Sequence, residues 1–202
     1  MPTYRNAEPT TNQLHEHSLI NQLLATRGIT TKEEMDIFLE PDYDAHRHDP
    51  FLLNDMQVAV DRILLAIKKD ERIAIYSDYD CDGIPGAVVL HDFFKAINFK
   101  NFTNYIPHRH FEGFGLNNGA LDKLATDQVV LVVTIDCGTA NLAAVEHANK
   151  LGLEVIVTDH HEAKAELPKA IAIVNPKVGT SYPFTELCGA GVVYKLVEAL
   201  IS

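Results

Sequence analysis

The sequence predicts an α/β fold, a mostly parallel sheet with helices on both faces, preceded by a small N-terminal helical segment. Two patterns carry that prediction. RIAIYSD (72–78), VVLVVTID (129–136), LEVIVTD (153–159) and AIAIVNP (170–176) are near-continuous aliphatic runs, the signature of strands buried on both faces. Segments of helical length separate most of them, which suits strand–helix–strand crossovers rather than hairpins. A further regularity concerns chemistry: the first three runs each end in an acidic residue, Asp78, Asp136 and Asp159.

In chain order, residues 12–28 place Leu14, Leu19, Ile20, Leu23 and Leu24 at helical spacing, and Gly28 supplies the stop. Thr31 followed by Glu34 is a capping-box pattern for a second helix that halts before Pro41. Residues 41–55 hold two prolines and mixed charge and read as a linker. Asp55 is placed to cap a helix over Met56–Lys69. Helices are then expected over about 84–97, 141–150 and 189–200 in alternation with the four apolar runs. The expected boundaries are 1–55 for the helical segment and linker, and 56–202 for the α/β domain.

At 202 residues, 47% hydrophobic and 22% charged, the chain has the makings of one good-sized core and is not a disordered tail. No run approaches the length of a membrane span and no basic-plus-apolar leader opens the chain, so no membrane contact and a cytoplasmic location are expected. Cys81, Cys137 and Cys188 lack C-x-x-C spacing, against both a disulfide framework and a thiolate zinc site. The net charge of −11 weighs against nucleic-acid binding through surface charge alone. Carboxylates that hold divalent cations would account for part of that excess.

Within YSDYDCDG, Asp78, Asp80 and Asp82 stand at alternate positions. In extended backbone such neighbours lie about 7 Å apart and repel by roughly 2 kcal/mol at an effective dielectric of about 20. A cation among them would relieve that. An EF-hand is excluded, because Val89 stands where the loop needs its bidentate Glu and a strand, not a helix, precedes the motif. Asp136, and Asp159 with His160 and His161, lie at the ends of other strands, and the carboxyl ends of parallel strands share one rim where ligands bind. Carboxylates with imidazole suit Mn²⁺, Fe²⁺ or Zn²⁺, and a carboxylate majority leans to Mn²⁺ or Mg²⁺. Such a set is large enough for two ions about 3.5–4 Å apart.

SDYDCDG, TIDCG and VTDHH, in that order and at those strand ends, resemble the first three motifs of the DHH phosphoesterase superfamily. Within it, LLATRGITTKEEMDIFLEP, DPFLLNDMQVAVDRI, YIPHRHFEGFGLN, NPK and LCGAGVVYKL resemble segments of the RecJ single-stranded-DNA exonucleases, also in order. The resemblance implies a 5′-to-3′ exonuclease that releases mononucleotides from single-stranded DNA with two Mn²⁺ or Mg²⁺ ions, in recombination and repair. It implies Asp80, Asp82, Asp136 and His160 as metal ligands, with Asp78 a ligand or a close partner. His161 would contact the scissile phosphate or assist proton transfer. It further implies a fourth carboxylate motif and a second domain beyond these residues, so that this stretch alone is expected to bind metal loosely and cleave weakly or not at all. Two rivals stand beside it: another DHH phosphoesterase acting on oligonucleotides, cyclic dinucleotides or pyrophosphate, and a non-catalytic scaffold.

The remaining polar segments suit phosphate handling. Arg109, flanked by His108 and His110, is either a phosphate clamp or a solvated loop arginine. Phe111 and Phe114 could stack on bases or anchor the loop. Gly189 and Gly191 open a helix whose free N–H groups could face a phosphate, or they permit close packing against the sheet.

Overall fold

A computed structural model describes residues 13–179 and 181–202, and the chain divides into two compact units between Arg47 and His48. In the first unit, helix α1 spans Ser18–Thr26 and helix α2 spans Lys32–Leu39. The helix expected from residue 12 begins only at Ser18, because Asn21 Oδ1 accepts from the amides of Leu14 and His15 at 3.0 and 2.8 Å and bends the chain ahead of it. Residue 12 itself lies outside the described residues. Gly28, at φ +74°, ends α1 in the left-handed conformation that glycine adopts without penalty. Both halves of the Thr31/Glu34 capping box form at the start of α2.

The second unit runs α3 (Met56–Lys69), β1 (Ile73–Ser77), α4 (Gly83–Ala96), β2 (Phe102–Tyr105), α5 (Asn118–Thr126), β3 (Leu131–Ile135), α6 (Leu142–Lys150), β4 (Glu154–Thr158), β5 (Ala172–Val174) and α7 (Gly189–Ile201). Its sheet has the order β2-β1-β3-β4-β5, and every pairing is parallel. One face carries Ile73, Ile75, Leu131, Val133, Ile135 and Ile156, which pack with side chains of α3, α4 and α7. The other carries Ala74, Tyr76, Val132, Val155 and Val157, against α5 and α6. Alternation along each strand therefore sends apolar groups to both faces, and each fully buried Val or Ile contributes about 1.5–3 kcal/mol.

Two elements and one cap differ from expectation. Strand β2 and helix α5 both fall between the helix expected over about 84–97 and the run at 129–136, where no element was expected. Asp55 sits at φ +52° and caps nothing with its side chain. Its Oδ2 instead accepts from the Ile173 amide at 3.1 Å, while Asn54 donates to the Ile173 carbonyl at 3.3 Å. These two side chains occupy backbone groups on the outer edge of β5, which would otherwise be open to another strand.

The register positions the site. Ser77, Ile135, Thr158 and Val174 are successive cross-strand partners, so the next residues, Asp78, Asp136, Asp159 and Asn175, stand side by side along the carboxyl rim. The ladder continues through this row: Asp78 N–H donates to Ile135, Asp136 to Thr158 and Asp159 to Val174, at 3.0–3.1 Å. No helix among the described residues is long and apolar enough to cross a membrane.

Candidate metal centre

Asp78 follows β1 almost fully buried, and burial raises its carboxyl above the usual range. The chain then turns sharply, and a side chain at Gly83 would place its Cβ 2.6 Å from the Asp78 carbonyl oxygen, so only glycine fits. Within that turn Asp80 Oδ1 accepts from the amides of Asp82 and Gly83, each at 2.8 Å, and these bonds, that of Gly83 foremost, hold its carboxyl low. Asp136 follows β3 at φ +61°, a left-handed conformation that Asp tolerates better than most residues. It is 1% exposed. Burial first, then Asp82 and Asp80, push its carboxyl up to about 8.

Two groups of potential ligands overlap at Asp136. Ligand atoms of Asp78, Asp80 and Asp136 lie within 4.8 Å of one another, as do those of Asp136, His160 and His161. His160 Nε2 is 3.2 Å from Asp136 Oδ1 and 3.6 Å from Asp82 Oδ2, which brings Asp82 to the second group. The Oδ1 atoms of Asp78 and Asp136 are buried without a hydrogen-bond partner. Uncompensated buried carboxylate oxygens are costly, and a divalent cation is the partner that this donor set fits. Carboxylates in the majority with imidazole suit Mn²⁺ or Mg²⁺ better than a thiolate-seeking metal.

Around this cluster lie supports: Asp159, which its strand-end position nominated as a potential ligand, and Thr139 and Asn175, which the sequence did not announce. Asp159 is buried, which alone would raise its carboxyl. Hydrogen bonds from the Thr139 amide and from His161 outweigh that and hold it low. It accepts from Thr139 N at 2.9 Å, His160 N at 2.8 Å and His161 Nδ1 at 2.7 Å. Asn175 Nδ2 ties the same corner together, donating to Thr139 Oγ1 and to the His161 carbonyl, each at 3.0 Å. With Nδ1 committed to Asp159, Nε2 is the free nitrogen of His161. Burial pulls the His161 imidazole down, but Asp159 leads the carboxylates that raise it overall.

At the start of α7, Gly189 has a different partner from the phosphate considered above. Gly189 and Ala190 N–H both donate to the Asp82 carboxylate at 2.7 Å, an anion at a helix N-terminus. A Cβ on Gly189 would meet Asp136 Oδ1 at 2.5 Å, so close approach explains that glycine, whereas one on Gly191 would meet nothing nearer than the end of Leu187 at 3.3 Å. Arg109 lies exposed at the edge of the site, with its guanidinium 4.7 Å from the centre of the Tyr79 ring. The His108 ring rests on Phe111 at 4.5 Å, and Phe114 meets His161 edge-on at 6.0 Å. Phe111 is 85% exposed and Phe114 58%, so neither is a core anchor.

Comparison with known proteins follows the same outline. The model of the DHH family, N-terminal domain, matches residues 72–202. The single-stranded-DNA-specific exonuclease RecJ of Bacillus subtilis (strain 168) is 43% identical over 203 aligned residues, covering 100% of this chain and 25% of that protein. RecJ of Escherichia coli (strain K12) is 31% identical over 90% of this chain and 31% of its own length. The chain thus spans a quarter to a third of these relatives. Among solved structures, exonuclease RecJ bound to manganese superposes with a TM-score of 0.65 at 31% identity, over 73% of this chain and 37% of that one. RecJ of Thermus thermophilus in complex with Mn²⁺ gives 0.67 at 27% identity, over 88% and 24%. With its motifs on one sheet rim and the family model matched from β1 to the end of α7, the chain belongs to the DHH family.

Proposed function

We propose that this chain forms the metal-binding part of a RecJ-like exonuclease, which hydrolyses phosphodiester bonds of single-stranded DNA from the 5′ end with Mn²⁺ or Mg²⁺. The observation that carries the reading is the row of strand-end carboxylates, with Asp136 common to both ligand groups and two buried oxygens that no hydrogen bond satisfies. Asp78, Asp80 and Asp136 would hold one ion, and Asp136, Asp82 and His160 the other. Bound there, divalent ions supply an acidified water and neutralise charge on the phosphate.

The chain's own groups do the rest. Asp159 fixes the His161 tautomer and leaves Nε2 to meet a phosphate oxygen or move a proton. Arg109 offers paired donors to a phosphate near the Asp78 side of the cluster. Exposed Phe111 and Phe114 offer faces on which unpaired bases can stack.

The test is a substrate panel with Mn²⁺: single-stranded and duplex DNA, a cyclic dinucleotide and pyrophosphate. Mononucleotide release from the single strand alone is expected, lost in Asp136→Ala by at least about 10³-fold, the scale for removing a group that stabilises developing charge. Preference for the cyclic dinucleotide or pyrophosphate overturns the substrate, and activity that survives Asp136→Ala overturns the site.

A further inference from the structure

The loop that carries Arg109 is held by side chains not yet given a role. Residues 108–112 form a tight turn, with Phe111 and Glu112 N–H both donating to the His108 carbonyl at 3.0 and 2.8 Å. Glu112 then reaches back across the turn, and its Oε2 accepts from the His108 amide at 2.6 Å. Its other oxygen, Oε1, accepts from the Tyr105 hydroxyl. Tyr105 belongs to β2 and lies stacked on Tyr76 of β1, 5.3 Å between centres and 15° between planes. The Tyr76 hydroxyl closes the frame by donating to the Gly115 carbonyl at 2.9 Å and accepting from Asn117 Nδ2 at 3.1 Å.

Both ends of the loop are therefore fastened to two adjacent strands. Tyr76 stands two residues before Asp78, and Tyr79, on whose ring Arg109 rests, stands one residue after it. An exposed arginine ordinarily samples many rotamers, and fixing one costs conformational entropy. Here its backbone is set from one side by Glu112 and its head from the other by Tyr79.

We propose that Glu112 is a positioning residue for the reaction: by closing the 108–112 turn onto Tyr105 it holds Arg109 over Tyr79, beside the carboxylate cluster. The inference rests on the reading of Arg109 as a phosphate contact. Loss of Glu112 frees the His108 amide and the Tyr105 hydroxyl together, so the turn opens and Arg109 leaves the ring. Glu112→Gln keeps an acceptor oxygen and preserves most of the arrangement.

Two measurements on the whole chain test this. In NMR spectra the Arg109 Nε–Hε signal should be displaced by the Tyr79 ring current, and Tyr79→Leu should return it to the random-coil position. Glu112→Ala should return it as well, and Glu112→Gln should not, with backbone amides outside the loop unchanged in all three. In single-strand cleavage with Mn²⁺, Glu112→Ala and Arg109→Ala should each raise KM about tenfold with little change in kcat, the double variant being no worse than Arg109→Ala. A wild-type Arg109 signal at its random-coil position, or one that stays displaced in Glu112→Ala, overturns the proposal. Additive losses in the double variant overturn it too. Absence of cleavage by the wild type would overturn the function proposed above, while the NMR comparison still decides whether Glu112 places Arg109.

Discussion

Asp136 is the residue on which the centre turns, because it combines almost complete burial, a left-handed backbone and membership of both ligand groups. With no cation present its carboxyl lies at about 8 against an ordinary 3.8, so the folded chain keeps a proton at neutral pH that the unfolded chain has released. The unfolded state binds fewer protons between those two values, and stability must therefore fall as pH rises through that window. In EDTA, urea unfolding should show a decline on the order of 3–5 kcal/mol from about pH 4 to about pH 8, and Asp136→Asn should flatten it. An unchanged slope in the Asn variant would place the burden on another group. Asp78, Asp136, Asp159, His160 and His161 could be nominated from the sequence because residue type and position at a strand end suffice, and Asp80 and Asp82 from their alternation with Asp78. The other supports could not. Thr139, Asn175 and Glu112 reach their partners through turns whose path no periodicity records.

At the scale of elements, fold legibility followed burial. Strands β1, β3 and β4 are buried on both faces, so their aliphatic runs stand out. Strand β2 sits at the sheet's edge, half-buried, with Thr103 and Asn104 in its middle, and has no such run. Helix α5 did leave a signal, Asn117 accepting from the Ala120 amide ahead of Ala120, Leu121 and Leu124, but it is short and follows a glycine-rich loop. The start of α7 illustrates how an element and the site constrain each other. Its first amides bind Asp82 and its first glycine lies against Asp136. Gly189→Ala forces Cβ into that carboxylate and should cost about 1–3 kcal/mol, with a Mn²⁺ affinity lowered at least about tenfold. Gly191→Ala meets nothing nearer than a movable Leu187 end and gains helix propensity, so it should be neutral or stabilising by up to about 1 kcal/mol. Unfolding and titration calorimetry of the pair compare them directly, and equal effects would deny that the Gly189 contact is special.

For the molecule as a whole, the proposed ligands come from the ends of β1, β3 and β4, while Asp82 fastens the first of these to α7. A bound ion would link strands that are far apart in sequence, and it can exist only when they are folded together. Binding to the native state alone stabilises by about 2.7 kcal/mol at a hundredfold excess over Kd. For a chain of this size that corresponds to a rise in Tm of roughly 5–10 °C. Mn²⁺ should produce this shift in thermal unfolding, EDTA should reverse it, and Asp136→Asn should abolish it. His160→Ala should reduce it partially, because it leaves the Asp78, Asp80 and Asp136 group complete. A full shift in Asp136→Asn would mean that the ion binds elsewhere, and the common carboxylate would then have no part in joining the strands.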